Sequence, residues 1–341
     1  MARDRYSPQG RESFEFVNFY STLKEMSGVE VIEHPFDRIL EVGRKKFNQE
    51  LLDLVSKENP DLFFAFMYTD ELDPGVLGEI KTKTKSIAWF ADDYWRFWNY
   101  SRHWAPFFSR VVTTSPQALE WYEKYGHKNI IKSEWACNTK LYQPVLIKQD
   151  IDVSFVGQYK PPRAKIINQL KKSGIQVEAF GSGWPNGKIS HEKMIEIFSR
   201  SRINLNLNPR PSLLSLRVLA RIFLKKSINQ LKFDPHLLNN LKAYWHFQIP
   251  HTHARPFELS GCGSFVLSGY SKGIENYYKE NEEMVFYRSS ADLASKIKYY
   301  LANESERSSI ARAGYERTIK EHTYEKRFHD LFQALGLEYN I

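Results

Sequence analysis

Short apolar runs alternate with segments of helical spacing twice along this chain, and that alternation restricts it to an α/β architecture with parallel sheets. In the first half, Val29-Glu30-Val31-Ile32 reads as a strand. Phe47, Leu51, Leu54 and Val55 follow on one helix face, which Asn59-Pro60 ends. Residues 62–67 form a continuous apolar run, as a strand buried on both faces would. Residues 87–90 and 111–114 read as further strands, and 117–122 as a helix. The pattern restarts with a strand at 153–156, a helix at 164–173 and a strand at 177–180. Ile203-Asn204-Leu205-Asn206-Leu207 alternates strictly and stops at Pro209. Helices are expected at 290–301, with Ser290 as cap, and at 304–319. Pro144 and Lys148-Gln149-Asp150 mark a linker between two domains, 1–145 and 151–320, and 321–341 forms a last helix. The region before Phe14 is polar and broken by Pro8 and Gly10, so the opening strand of the first domain reads as missing.

Composition fits two packed cores: 341 residues, 42% hydrophobic and 15% aromatic, which excludes a disordered chain. The two cysteines, Cys137 and Cys262, form no disulfide framework and suit a reducing compartment. The N-terminus has no apolar core of a signal peptide, and no run approaches the ~20 residues of a membrane span. A cytoplasmic protein is expected, with peripheral contact at the inner face of the membrane as an option. The net charge of +8 favours acidic partners: a nucleotide sugar, an anionic membrane face or nucleic acid. No nucleic-acid recognition module is visible, which ranks that partner last.

The run Arg255-Pro256-Phe257-Glu258-Leu259-Ser260-Gly261-Cys262-Gly263 carries the sharpest chemistry. Pro256 suits a first helical turn, and the two glycines stop the helix after about two turns. Free N–H groups and Arg255 at the helix tip suit phosphate, and the Glu258 carboxylate suits a ribose diol. The alternative is that Glu258 only complements the helix dipole. A second group follows the strand at 153–156. Gly157 lets backbone approach a ligand, and Arg163 and Lys165 would neutralise a departing diphosphate, unless they are simply solvated. Gly181 and Gly183 make a close-approach loop, where Trp184 either stacks on a base or packs the turn.

Asp92-Asp93 ends a strand of the first domain. One carboxylate would orient or deprotonate an acceptor hydroxyl and the other cap the next helix. The aromatic tract 95–104 lines a sugar cleft or fills a buried helix. His251 and His253 form a His-x-His pair, but no third ligand follows at a useful spacing, so no metal is expected. Arg217, Arg221 and Lys225 recur every four residues among Leu216, Leu219, Ile222 and Phe223, reading as a basic amphipathic helix. Its polar face is either solvated or docks on anionic membrane.

The 255–263 run resembles the R-x-F-E-x-x-x-x-G signature of group 1 (family 4-like) glycosyltransferases of the GT-B fold, most closely the branch that includes the spore-maturation protein CgeB. Trp89-Phe90-Ala91-Asp92-Asp93 resembles that branch's acidic motif. Asp152-Val153-Ser154-Phe155-Val156-Gly157 with Arg163 resembles the opening of its donor domain, and Glu321-His322-Thr323-Tyr324-Glu325-Lys326-Arg327 its C-terminal signature. The likeness spans about residues 40 to 332. It implies two Rossmann-like domains whose parallel sheets face a central cleft, with a helical insertion at about 211–249. It also implies a last helix that crosses back to the first domain. The donor would be a nucleoside-diphosphate sugar and the acceptor a glycan, lipid-linked or protein hydroxyl. Catalysis would need no metal, and the configuration would be retained. Where the family often carries a second glutamate, this chain has Pro250, so His251 or His253 is expected to meet the sugar. The implied activity is hexosyl transfer in cell-surface or spore-surface polysaccharide or glycoconjugate synthesis. The alternatives are a non-catalytic nucleotide-sugar-binding or surface-assembly protein, and a DNA-modifying glycosyltransferase.

Overall fold

The computed structural model describes residues 1–3, 12–211, 213 and 215–337; the Ser7-Pro8-Gln9-Gly10 loop lies outside the described residues. The strands in chain order are β1 Leu62–Ala65, β2 Lys85–Phe90, β3 Arg110–Thr113, β4 Ile130–Lys132, β5 Ile151–Val156, β6 Glu178–Phe180, β7 Ser201–Asn206, β8 Leu224–Ser227, β9 Gln230–Phe233, β10 Val266–Gly269 and β11 Val285–Tyr287. The chain divides into two compact units. Unit 1 comprises Met1–Glu134, Ser212–Ile249 and Arg327–Ile341; unit 2 comprises Trp135–Pro211 and Pro250–Lys326.

Unit 1 carries the parallel sheet β1-β2-β3-β4. Its core joins Phe47, Leu51 and Val55 of the Ile39–Glu58 helix to Leu77, Ile80, Ala88 and Phe90. Asp73 starts the Pro74–Lys83 helix by accepting from the Gly75 N–H at 2.8 Å, with Pro74 in the first turn. The strand expected at 29–32 does not form. Val29 and Val31 are half-buried and Glu30 and Ile32 exposed, so the alternation is present but no strand among the described residues pairs with it. In the aromatic tract 95–104 only Phe97 is a buried aromatic residue, and Trp98, Tyr100 and Trp104 pack half-buried against the core. Phe97 is buried edge-on to Trp98 and Tyr122, and Trp95 lies edge-on to Phe247.

Residues 212–249 pack with unit 1, whereas the sequence places them as an insertion of the second domain. Asn99 Nδ2 donates to Asn240 Oδ1 at 2.8 Å, and the Arg221 guanidinium lies 4.7 Å from the Trp95 ring centre. The expected basic helix is also corrected. Helix runs only over Leu216–Ala220, and β8 and β9 then form an antiparallel ribbon that the Asp234 N–H closes on the Phe223 carbonyl at 2.8 Å. Phe328 of the Tyr324–Ala334 helix meets the Phe19 and Phe64 rings, and the chain from Arg327 onward belongs to unit 1.

Asp93 is fully buried in unit 1, where the Tyr122 hydroxyl donates to its Oδ2 at 3.0 Å. Burial pushes its carboxyl up to about 7, against the pull of hydroxyls of Ser101, Thr113 and Tyr122. A raised acid binds more protons folded than unfolded. Its favourable contribution is therefore complete below the unfolded pKa and lost as pH rises to about 7. Asp93→Asn should thus become progressively more stable than the parent between about pH 4 and pH 8, by a relative gain of order 4 kcal/mol. Urea denaturation of both proteins across that range measures it; parallel pH profiles would contradict it.

Unit 2 carries the parallel sheet β6-β5-β7-β10-β11. Val153, Phe155, Ile203, Leu205 and Leu267 meet Leu170, Leu293 and Ile297 from the covering helices. The polar members of the alternating run are satisfied inside: Ser154 Oγ donates to Asn204 Oδ1 at 3.1 Å, and Asn204 Nδ2 to the Phe198 carbonyl at 3.0 Å. The cap of the Ser290–Ala302 helix is Ser289, one residue before the one expected; its side chain accepts from the Asp292 N–H at 3.1 Å.

Candidate nucleotide-binding site

In chain order the unit 2 sheet reads 2-1-3-4-5, so the strand order reverses between β5 and β7. Open α/β sheets bind ligands beyond the carboxyl ends of the strands at such a reversal. Gly157 follows β5 there, and Arg163 stands in the first turn of the Pro161–Lys172 helix. Arg163 Nε donates to the Leu207 carbonyl at 3.0 Å and Nη1 to the Gln158 carbonyl at 3.0 Å. One side chain thereby ties the loop after β5 to the loop after β7. Burial lowers the Arg163 pKa, the charge of Arg255 lowers it further, and Tyr287 opposes both. Among the described residues no carboxylate pairs with Arg163. A half-buried guanidinium without a carboxylate partner favours an anion at Arg163, while Arg255 already has Glu258 beside it.

The loop after β6 closes on the same strand end. Gly181 has φ +126°, and a Cβ there would run into the Gly157 carbonyl; Gly183 has φ +88°, and a Cβ there would meet Tyr159. Both positions require glycine. Trp184 donates from Nε1 to the Gly157 carbonyl at 2.9 Å and lies edge-on to Tyr159, so it packs the turn and does not stand ready for a base.

The Arg255–Gly261 helix begins with Pro256 in its first turn, without a side-chain cap, and Gly263 at φ +67° lies just beyond its end. Glu258 does not offer a free carboxylate. It is 4% exposed and its Oε2 sits 2.7 Å from Arg255 Nη1. The Tyr142 hydroxyl, its pKa raised well above the ordinary value by burial and then by the Glu258 charge, also faces this carboxylate. Arg255 in turn donates to Met194 Sδ at 3.1 Å and covers the Phe198 ring. His251 and His253 are half-buried, with ring centres 4.1 Å apart. Among the described residues no group of three His, Cys, Asp or Glu side chains is arranged to hold a metal. Lys165 is exposed on the Pro161–Lys172 helix.

Asp92 and Asp93 lie in unit 1 and part company. Asp92 is exposed and makes no side-chain cap bond, whereas Asp93 is committed to the core. The burial of Asp93 removes it from the acceptor role. Sequence reading missed Tyr287 and Asn208 in unit 2. Tyr287 faces Arg163, and Asn208 Oδ1 occupies the space that a side chain at Gly269 would take. Asn208-Pro209 at the end of the alternating run is the signal that could have marked the second of them.

Residues 233–333 match a family model described as glycosyl transferase-like. No curated protein sequence matches the chain. Among solved structures, a sucrose-phosphate synthase from Thermosynechococcus elongatus is similar at 12% identity and TM-score 0.58, over 92% of this chain and 82% of that one. HepE from Anabaena, in complex with UDP and glucose, is similar at 11% identity and TM-score 0.56, over 90% and 86%. A glycosyltransferase from Rickettsia africae is similar at 11% identity and TM-score 0.55, over 86% and 82%. At such identities the likeness carries the architecture: the chain has the GT-B α/β fold, and its glycosyl transferase-like stretch contains Arg255 and Glu258 but not Gly157 or Arg163.

Proposed function

We propose that this chain transfers a sugar from a nucleoside-diphosphate sugar to an acceptor hydroxyl, and that unit 2 holds the donor. The observation that carries the reading is Arg163 bridging the ends of β5 and β7 at the sheet reversal, with the charge of Arg255 nearby and no carboxylate on Arg163. In the transfer, the bond from the anomeric carbon to the diphosphate oxygen breaks and its electron pair stays with the diphosphate. The acceptor oxygen bonds to that carbon, and its proton passes to a carboxylate or to the departing phosphate. The two guanidinium groups stabilise the charge that grows on the leaving group. Gly181 and Gly183 let the loop after β6 close on Gly157 and Tyr159, which shapes the strand end that receives it. Exposed Asp92 is the carboxylate kept for the acceptor hydroxyl. His251 and His253 are assigned to the sugar, and Lys165 to the outer phosphate. The crystallised HepE complex contains UDP and glucose, so UDP-glucose is the first donor to try. Metal independence, retention of configuration, the CgeB-like branch and a surface-glycan acceptor belong to the same proposal and rest on the sequence resemblance.

Glu258 enters through an exchange of partners. Arg255 turns from Glu258 to the diphosphate, and the ribose hydroxyls take its place on the carboxylate. Titration of Glu258→Gln with UDP and with inorganic pyrophosphate separates this from a purely structural ion pair. The exchange predicts UDP affinity at least about tenfold weaker, the worth of one or two charge-assisted hydrogen bonds, with pyrophosphate affinity unchanged or improved. Equal weakening of both ligands would mean that Glu258 only holds Arg255 in place.

A further inference from the structure

Half of the large apolar side chains that stand exposed among the described residues lie within positions 216–245 of unit 1. Leu216, Leu231, Phe233, Leu238 and Trp245 are each more than half exposed. Arg217, Lys225, Lys226, Lys232 and Lys242 are exposed among them, while Asp234, the only acidic residue of 215–249, is buried and bonded to His236. The β8–β9 ribbon fixes how these groups are displayed. Leu224 pairs with Phe233 and Lys226 with Leu231, so these four share one face, and Lys225 stands opposite Lys232 on the other. Like charges placed directly opposite destabilise a ladder, and a two-stranded ribbon alone is marginal in water. The ribbon is nonetheless tied down: Ser227 Oγ donates to Asp70 Oδ2 at 3.0 Å, and the Ile228 N–H to Thr69 Oγ1 at 3.0 Å. Folding alone does not account for a fixed ribbon with facing lysines and an apolar face in water. A partner that is both apolar and anionic does.

We propose that the 216–245 segment docks unit 1 on an anionic lipid bilayer, with Leu231, Phe233, Leu238 and Trp245 in the interface and the lysines at the headgroups. Trp and long lysine stems suit that boundary, and the segment carries basic charge without exposed acid to oppose it. A nucleic acid or a soluble polyanion would satisfy the lysines and leave the leucines wet. This surface is independent of the donor site, so its test leaves UDP binding as an internal control.

Sedimentation of the full chain with phosphatidylcholine vesicles, and with vesicles containing about 30% phosphatidylglycerol, tests the proposal. Expected are binding to the anionic vesicles only and weakening in high salt, since each basic residue near such a surface contributes about 1 kcal/mol. The pair Leu231→Ser with Phe233→Ser, and separately Lys226→Glu, which shares the ribbon face of Leu231 and Phe233, with Lys242→Glu, which shares the helix face of Leu238 and Trp245, should each weaken binding at least about tenfold. Melting temperature and UDP affinity should stay at parent values, because all four side chains are exposed. Equal binding to neutral vesicles, or none to either, overturns the proposal. So does anionic binding that the apolar pair does not weaken and an oligonucleotide competes away. A concentration-dependent dimer that the Leu231 and Phe233 changes abolish, without vesicle binding, would assign the surface to a second copy of the chain and also overturn it.

Discussion

Arg163→Ala is expected to lower donor turnover by about 10²–10³-fold, the usual cost of removing one preorganised group that stabilises a leaving-group charge. The loss should fall more on kcat than on KM, because the charge on the departing diphosphate is greater in the transition state than in the bound donor. The same side chain also satisfies the Leu207 and Gln158 carbonyls, so some stability goes with it, about 1–3 kcal/mol. Arg163→Lys separates the two contributions. Lysine keeps the charge but cannot fork between two carbonyls, so it should restore part of the turnover without restoring the melting temperature in full. Steady-state hydrolysis or transfer assays with UDP-glucose, beside thermal melts, read both. Turnover of Arg163→Ala within about threefold of the parent would remove Arg163 from the chemistry.

Gly181→Ala should abolish donor binding while leaving unit 1 intact. The backbone at this position has φ +126°, which residues with a Cβ rarely adopt, and the added methyl would collide with the Gly157 carbonyl. Strain of this kind costs about 1–3 kcal/mol before the collision is counted. The Gly157 carbonyl cannot retreat freely, because it accepts from Trp184 Nε1 at 2.9 Å, and the Gly157 N–H donates to the Phe180 carbonyl at 2.9 Å. The loops after β5 and β6 must therefore part, and the strand end that carries Arg163 loses its shape. A melting temperature several degrees lower, with no measurable UDP binding, is the expected result. Gly187→Ala is the control: φ is +68° there, but nothing lies within 4 Å of the added methyl. UDP binding by Gly181→Ala equal to that of the control would show that this loop does not shape the site.

Several parallel strands were legible, as at 87–90 and 153–156, because strands buried on both faces leave continuous apolar runs, whereas β4 and β11, of three residues each, were not read. The turn chemistry of the site was legible too, since Gly157, Gly181, Pro256 and Gly263 mark positions where backbone must turn or approach closely. Gly261 was read as part of a helix stop. The structure gives it another task, since a Cβ there would strike Cys137 Sγ. Such a contact between residues distant in sequence leaves no local signal. The same limit explains Asp93 and Glu258. A carboxylate next to an aromatic run, or in a first helical turn, looks alike whether it ends up in solvent or in the core, and tertiary packing decides. The 216–225 stretch failed for a different reason. Cations every four residues fit a helix, but Leu224 and Phe233 pair across a ribbon, and a ladder partner nine residues away does not enter a helical period.

Isothermal titration of the full chain with UDP, GDP and ADP, repeated on Arg163→Ala, tests the central claim most directly. The account predicts that one of the three diphosphates binds with a single site and that Arg163→Ala weakens it at least about tenfold, the loss of a charge-assisted contact to phosphate. Binding of none of them to the folded protein, or equal affinity in the parent and Arg163→Ala, would contradict a donor site at the β5–β7 reversal.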